Sequence, residues 1–179
     1  MVRLDLPRAL DHPSYSIELG ESTLFPYELY NSSNSWSAPQ GSLADMWLLS
    51  CETASAVNAA RPSSAPSIVP DLDLLRAASV RAEELAQLYD DVRPNGESWS
   101  TVVSDQNINW AYLGSNYGYR SNWDQLHSNI QEVVASSRAA ALTQAENSNH
   151  AGEYYKLIGV GYCPSSDGRY YFQSFVILP

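Results

Sequence analysis

Leu157-Ile158-Gly159-Val160-Gly161-Tyr162-Cys163 and, five residues on, Arg169-Tyr170-Tyr171-Phe172-Gln173-Ser174-Phe175-Val176-Ile177-Leu178 are the two runs that decide the fold. Pro164-Ser165-Ser166-Asp167-Gly168 stands between them and supplies the residues a turn needs. In the second run Tyr170, Phe172 and Ser174 fall on one face and Tyr171, Gln173 and Phe175 on the other. The pattern predicts an antiparallel hairpin. Gly159-x-Gly161 lies inside a strand, with no helix to follow as a dinucleotide site requires. The two glycines instead suit close backbone approach in the sheet.

Working outward, Ser121 or Asn122 caps a helix expected to reach roughly Ala145, with Trp123, Leu126, Ile130, Val133, Val134, Ala141 and Leu142 as its apolar stripe. Asn107 to Leu113 alternates Ile108, Trp110 and Tyr112 against Asn109 and Ala111, which predicts a strand; Gly114 to Gly118 then reads as a loop. Trp99 to Val103 fits a short helix or an extended segment. Asp71 after Pro70 opens the clearest helix. Its buried face is Leu74, Leu75, Ala78, Ala82, Leu85 and Tyr89, and its wetter side is Arg81, Glu83, Glu84 and Gln87. Arg93-Pro94-Asn95-Gly96 is a turn. Arg61 to Pro70 is a connector from which three prolines exclude helix. A first helix runs from Ser42 or Leu43 to about Ala60. Residues 1–41, rich in Pro, Ser, Asn and Tyr, form an irregular arm, within which Ser16 to Leu19 and Thr23 to Phe25 fit short strands. The order of helices, strand, helix and hairpin predicts one α+β layered domain over residues 42–179.

Composition narrows the functional classes. At 179 residues and 44% apolar, the chain can build a single core. A formal net charge of −10 and the absence of a basic stripe argue against a nucleic-acid partner. No apolar run approaches the roughly 20 residues of a membrane span. Met1 to Leu10 contains Asp5 and Pro7 and does not read as a signal peptide. The 12 tyrosines and 5 tryptophans fit core packing, and equally a surface that contacts protein or glycan. Cys51 and Cys163 are the two cysteines; they could form one disulfide or stay as two thiols.

Three stretches in order resemble the bacterial branch of the CAP superfamily, the cysteine-rich secretory, antigen 5 and pathogenesis-related (SCP-like) fold. Val57-Asn58-Ala59-Ala60-Arg61 with Leu74 to Leu88 is similar to the family's first two helices, an Asn-x-x-Arg segment followed by an Arg-Ala-x-Glu-Leu helix. Tyr89-Asp90-Asp91-Val92-Arg93-Pro94-Asn95-Gly96 stands where the family has Phe-Ser-His-Thr-Arg-Pro-Asp-Gly. Ile158 to Tyr162 and Gly168 to Phe175 are similar to its closing Ile-Gly-Val-Gly and Tyr-Trp-Val-Gln-x-Phe strands. The resemblance covers roughly residues 43–178. It implies an α-β-α sandwich with a small antiparallel sheet.

It also implies a groove that in the family carries two His and two acidic residues, able to hold a divalent metal. Here the first His position falls on Asp91. The Glu of Gly-Glu-Asn falls on Ser115, within Gly114-Ser115-Asn116. The second His, twelve residues before Ile158, falls on Glu146, with His150 one turn later. The remaining acid has no secure counterpart; Glu132 is the nearest. A Zn site of the family kind is therefore not expected, nor any other cofactor, although a weakly bound divalent cation at Asp91 and Glu146 is compatible with the carboxylates. The plainer reading makes these two solvated loop carboxylates and His150 a surface residue. Arg93, Gly96 and Gly114 read as structural, Arg93 by forking onto a carboxylate and backbone carbonyls. Asn116, Tyr117, Tyr119 and Trp123 read as binding residues.

The resulting expectation is a non-catalytic CAP-like binding or structural module, extracellular, at a cell surface or on a virion. It would contact protein or glycan, with assembly through residues 1–41. Two alternatives are a metal-dependent, peptidase-like hydrolase using Asp91, Glu146 and His150, and a carrier of lipid or a small apolar ligand.

Overall fold

The hairpin is the centre of the main sheet. In the computed structural model, which describes residues 2–4, 15–17, 43–135 and 153–179, β5 (Leu157–Pro164) pairs antiparallel with β6 (Tyr170–Leu178), in register from Leu157↔Ile177 to Pro164↔Tyr170. Gly168, at φ +82°, closes the turn. Upstream come β1 (Val2–Leu4) and β2 (Tyr15–Ile17), an antiparallel pair in a sheet of their own; then α1 (Leu43–Ala60), β3 (Val69–Pro70), α2 (Leu72–Gln87), α3 (Thr101–Ser104), β4 (Tyr112–Arg120) and α4 (Trp123–Ala135). The main sheet has the order β3-β5-β6-β4, with β3 parallel to β5 and β4 antiparallel to β6.

Strand alternation sorts the helices onto two faces. Ile158, Val160, Tyr162, Phe172, Val176 and Leu178 share one core with α1 and α4, through Met46, Trp47, Leu49, Ala54, Val57, Trp123, Leu126 and Ile130. Phe175 and Ile177 face the other way and pack with Leu74, Ala77 and Ala78 of α2 and Val102 and Val103 of α3. The result is an α-β-α sandwich.

Gly159 and Gly161 face α2. A Cβ on Gly159 would lie 2.3 Å from Leu75 N, and one on Gly161 2.2 Å from Ser79 N. The helix backbone thus rests directly on the strand, where no other residue type fits. Asp71 starts α2 as N-cap, its Oδ1 accepting from Leu74 N at 2.8 Å. On the opposite face, α1 sends buried Ser50 to the sheet: Val160 N donates to Ser50 Oγ at 2.9 Å, so the edge of β5 beyond β3 is satisfied by a helix side chain. The Asn-x-x-Arg segment holds the connector. Asn58 trades two hydrogen bonds with the Ile68 backbone, and Arg61 donates to the carbonyls of Pro66 and Tyr155.

Several expectations need correction. Arg81 was placed on the wet side of α2 and is fully buried; its guanidinium donates to Asp90 O and meets Glu84. Tyr89 was placed on the buried face, but α2 ends at Gln87 and Tyr89 is 49% exposed. The strand expected at Asn107–Leu113 lies at Tyr112–Arg120, so the supposed loop Gly114–Gly118 is its middle. Ile108 and Trp110 do face a core, but from an irregular segment that begins at Asn107 with φ +58°. The connector also contains β3. Of the two states open to Cys51 and Cys163, the structure has free thiols. Cys163 shares the α2 face with Gly159 and Gly161, while Cys51 sits in the core on the α1 face, so the sheet stands between two free thiols. Burial pushes the Cys51 thiol up to about 12. Most of the arm, and Ala141 and Leu142, lie outside the described residues.

His127 of α4 is hydrogen-bonded to Glu52 of α1, and that bond holds its imidazole above its ordinary value. A raised folded pKa contributes stability in full below the unfolded value of about 6.5 and loses it as pH rises through the folded value. Three substitutions test these contacts. Glu52→Gln should flatten the stability loss seen on raising pH through that window, read from urea midpoints. Gly161→Ala should cost about 3 kcal/mol because helix backbone must move; Ser50→Ala should cost about 2 kcal/mol because Val160 N–H is left buried and unpaired.

Candidate functional site

The segment after α2 runs across the end of the sheet. Leu88, the C-cap, is extended at φ −141° and ψ 104°, and this carries Tyr89, Asp90 and Asp91 toward β4. There Tyr117 Oη donates to Asp91 Oδ1 at 2.8 Å. The bond stabilises the protonated phenol beside a carboxylate and pushes the Tyr117 hydroxyl up to about 12, with desolvation adding to the shift. Ser115, one step along the same strand face, has its hydroxyl tied to Gln173 Nε2 at 2.8 Å. Gln173 is fully buried and also donates to the carbonyls of Asn116 and Ser174. So two groove positions derived from the resemblance, Asp91 and Ser115, lie on one face of the sheet, each held by a neighbour. Glu146 and His150 lie outside the described residues, and Glu132 is exposed on α4.

Tyr117 is one of four tyrosines that cluster here. Tyr117 and Tyr119 of β4 are in register with Gln173 and Tyr171 of β6, so all four project from one face. Tyr89 drops onto them edge-on, its ring 5.5 Å from Tyr117, 5.2 Å from Tyr119 and 5.9 Å from Tyr171. Tyr119 and Tyr171 are 5.6 Å apart, and the Arg169 guanidinium lies 4.7 Å from the centre of the Tyr119 ring. Tyr171 is buried, whereas Tyr89 and Tyr119 are among the large apolar side chains exposed to solvent, together with Leu88 and Val92 of the same segment. These contacts form an aromatic surface with hydroxyls, one carboxylate and one guanidinium at its rim.

Beside it stands a clasp. Arg93 holds the Glu84 carboxylate with Nε at 2.9 Å and Nη2 at 2.8 Å, and reaches Asp105 at 2.7 Å and Thr101 at 2.8 Å with Nη1. The side-chain partners are thus carboxylates and a hydroxyl, not the backbone carbonyls expected. The guanidinium is driven further toward its charged form by these bonds, Glu84 first. Gly96, at φ +86°, makes the turn that returns the chain to α3. Gly114 serves packing rather than a loop: a Cβ there would lie 2.8 Å from Val176 Cγ2.

Of the residues read as binding, Tyr117 and Tyr119 are in the surface and Asn116 is half-buried beside it on the opposite face of β4. Trp123 is not: it is buried against Tyr162 at 4.8 Å on the α1 face, across the sheet. Tyr89 and Tyr171 were missed as contributors. Their period-based reading assigned them to a helix face and a strand face, and nothing local in sequence brings them together.

The donor set does not fit a Zn ion of the family kind. That ion needs imidazole nitrogens, and the described positions offer a carboxylate already bonded to a phenol and a hydroxyl bonded to an amide. Among the described residues, no three His, Cys, Asp or Glu side chains converge as a metal site. No helix among them is long and apolar enough to cross a membrane.

No family model and no curated protein matches the chain. Solved structures do. The chain is similar to an extracellular protein containing an SCP domain from Bacillus anthracis, with 13% identity, a TM-score of 0.51, 75% of this chain covered and 40% of that one. It also matches Schistosoma mansoni venom allergen-like protein 4, with 12% identity and a TM-score of 0.40 over 75% of this chain and 86% of that one. The chain thus spans well under half of the Bacillus anthracis protein. The first likeness, with the layer order above, gives the fold as CAP-like.

Tyr117 should stay protonated at pH 11 in the wild type and titrate nearer the ordinary value of about 10 in Asp91→Asn. The Cζ resonance of labelled tyrosine reads this directly.

Proposed function

We propose that this CAP-like chain is a non-catalytic module that binds a partner, protein or glycan, through the face formed by Tyr89, Tyr117 and Tyr119. One observation carries the reading: the phenol of Tyr117 occupies the Asp91 carboxylate, at the position where the family places a metal-binding or catalytic imidazole. The bond orients one of the two carboxylate oxygens toward a phenol, and among the described residues no further His, Cys, Asp or Glu side chains converge with Asp91 as a metal site. What remains exposed there is aromatic. Tyr89 and Tyr119 offer large rigid rings with polar ends at little entropic cost, the chemistry of protein and carbohydrate recognition.

The module belongs, on this reading, outside the cell, at a surface or on a particle such as a virion. The extracellular nature of the Bacillus anthracis structural neighbour supports that placement. A hydrolase built on Asp91, Glu146 and His150 would need Asp91 released from Tyr117. A lipid carrier would need room between helix and sheet, and α2 rests directly on β5 at Gly159 and Gly161.

Calorimetric titration of the metal-stripped protein with Zn, Ca and Mg should show no saturable binding. Binding at about micromolar strength that Asp91→Ala abolishes would revive the hydrolase. A glycan array and a panel of candidate surface proteins should yield ligands whose binding falls at least about tenfold in Tyr89→Ala and Tyr119→Ala, the loss typical of an aromatic anchor. Ligands bound equally well by both variants would refute the assigned face.

A further inference from the structure

Among the described residues, β4 is the long open edge of the main sheet. At the other edge β3 is Val69–Pro70 only, and the Val160 N–H beyond it is taken by Ser50 Oγ. β4 instead runs nine residues in unbroken register with β6, from Tyr112↔Leu178 to Arg120↔Tyr170, and no described strand pairs with its outer side. In an antiparallel pair, successive residues turn their N–H and C=O alternately toward and away from the partner, so about half of the β4 backbone groups point outward. Edges of this length are normally blunted by lysine, proline, a bulge or an inward charge. Tyr112-Leu113-Gly114-Ser115-Asn116-Tyr117-Gly118-Tyr119-Arg120 has none of these, and its single charge is at its last residue. A Cβ on Gly114 or Gly118 would press on a buried side chain, at 2.8 Å from Val176 Cγ2 or Phe172 Cε1, so both positions carry glycine for packing against β6.

We propose that β4 pairs with β4 of a second copy of this chain, antiparallel about a two-fold axis through Asn116, joining two four-stranded sheets into one continuous sheet. The strand is matched to itself. Full overlap of the nine residues requires the axis at Asn116, their midpoint. That register sets Tyr117 opposite Ser115 of the partner subunit, Tyr119 opposite Leu113 of the partner subunit, and Gly114 opposite Gly118 of the partner subunit. Arg120 falls opposite Tyr112 of the partner subunit, a favourable cation–ring pair. No like charges meet, although the chain carries −10 overall, because β4 holds no acidic residue and the two Arg120 lie at opposite ends. A two-fold contact of this kind closes on itself and adds no further copies. It also lays Tyr117 and Tyr119 of both copies along one face. The inference rests on the edge and its sequence, not on the identity of any ligand of the tyrosine face.

Sedimentation of the full chain over about 1–500 µM should show a concentration-dependent monomer–dimer equilibrium. Asn116→Lys sets two ammonium groups across the axis and should weaken the dimer at least about tenfold, with far-UV circular dichroism and melting temperature unchanged. Should that variant fail to fold, Asn116→Cys in a Cys163→Ser background replaces it. Directly opposed residues on antiparallel strands bring their Cβ atoms to about 4.5 Å at the closest, the upper end of the disulfide range, and should then crosslink under mild oxidation to a covalent dimer. A wild-type chain that stays monomeric throughout overturns the proposal. So does a dimer that Asn116→Lys leaves intact, or an Asn116→Cys chain that remains uncrosslinked where the dimer is populated.

Discussion

Helix α2 lies with its backbone against β5, and the rest of the described structure depends on that contact. Gly159 and Gly161 permit it, since a methyl group at either site would fall within 2.3 Å of helix backbone. Close approach fixes the depth and azimuth of α2, because a backbone-to-backbone contact has no side chain to adjust. Leu74, Ala77 and Ala78 are thereby set against Phe175 and Ile177. The end of α2 is delivered to the end of the sheet, where Tyr89 and Asp91 meet β4. The clasp of Arg93 on Glu84 and Asp105 then holds the following turn to both helices of that face.

The two faces of the sheet are used differently. On the α1 face the polar groups are structural: Ser50 satisfies the β5 backbone, and His127 joins Glu52 between helices. On the α2 face the described residues of α2, α3 and the segment around Trp110 cover one part of the sheet. Past the end of α2, Tyr117, Tyr119 and Tyr171 meet Tyr89, and two of the four rings stay open to solvent. Aromatic area of this kind could have been buried by a longer helix. Its exposure beside a carboxylate bonded to a phenol is the feature on which the proposed contact surface rests.

Much of the fold was legible in the sequence. Two apolar, β-prone runs joined by a Pro-Ser-Ser-Asp-Gly turn identify the hairpin, and Asp71 with a 3.6-residue period identifies α2. What failed did so for physical reasons. Asn107–Leu113 alternates because Ile108 and Trp110 dip toward a core from irregular backbone, a pattern that local reading cannot tell from a strand. Gly114–Gly118 has poor strand propensity and is a strand through its ladder with β6. Arg81 is buried because carbonyl and carboxylate partners from later in the chain surround it. The groove positions Asp91 and Ser115 came from the resemblance alone, and their partners, Tyr117 and Gln173, required the sheet register. Tyr89 and Tyr171 lie 82 residues apart in sequence, and only the end of α2 explains their meeting.

On the proposed reading the Asp91 carboxylate is held by Tyr117 and not by a metal ion. Manganese-induced line broadening of tyrosine-labelled protein tests it most directly, because a paramagnetic ion bound at Asp91 would sit within a few ångströms of the Tyr117 ring. Tyr117 resonances should broaden no sooner than those of tyrosines remote from Asp91. Selective loss of the Tyr117 signal at low manganese would contradict it and make the groove a cation site.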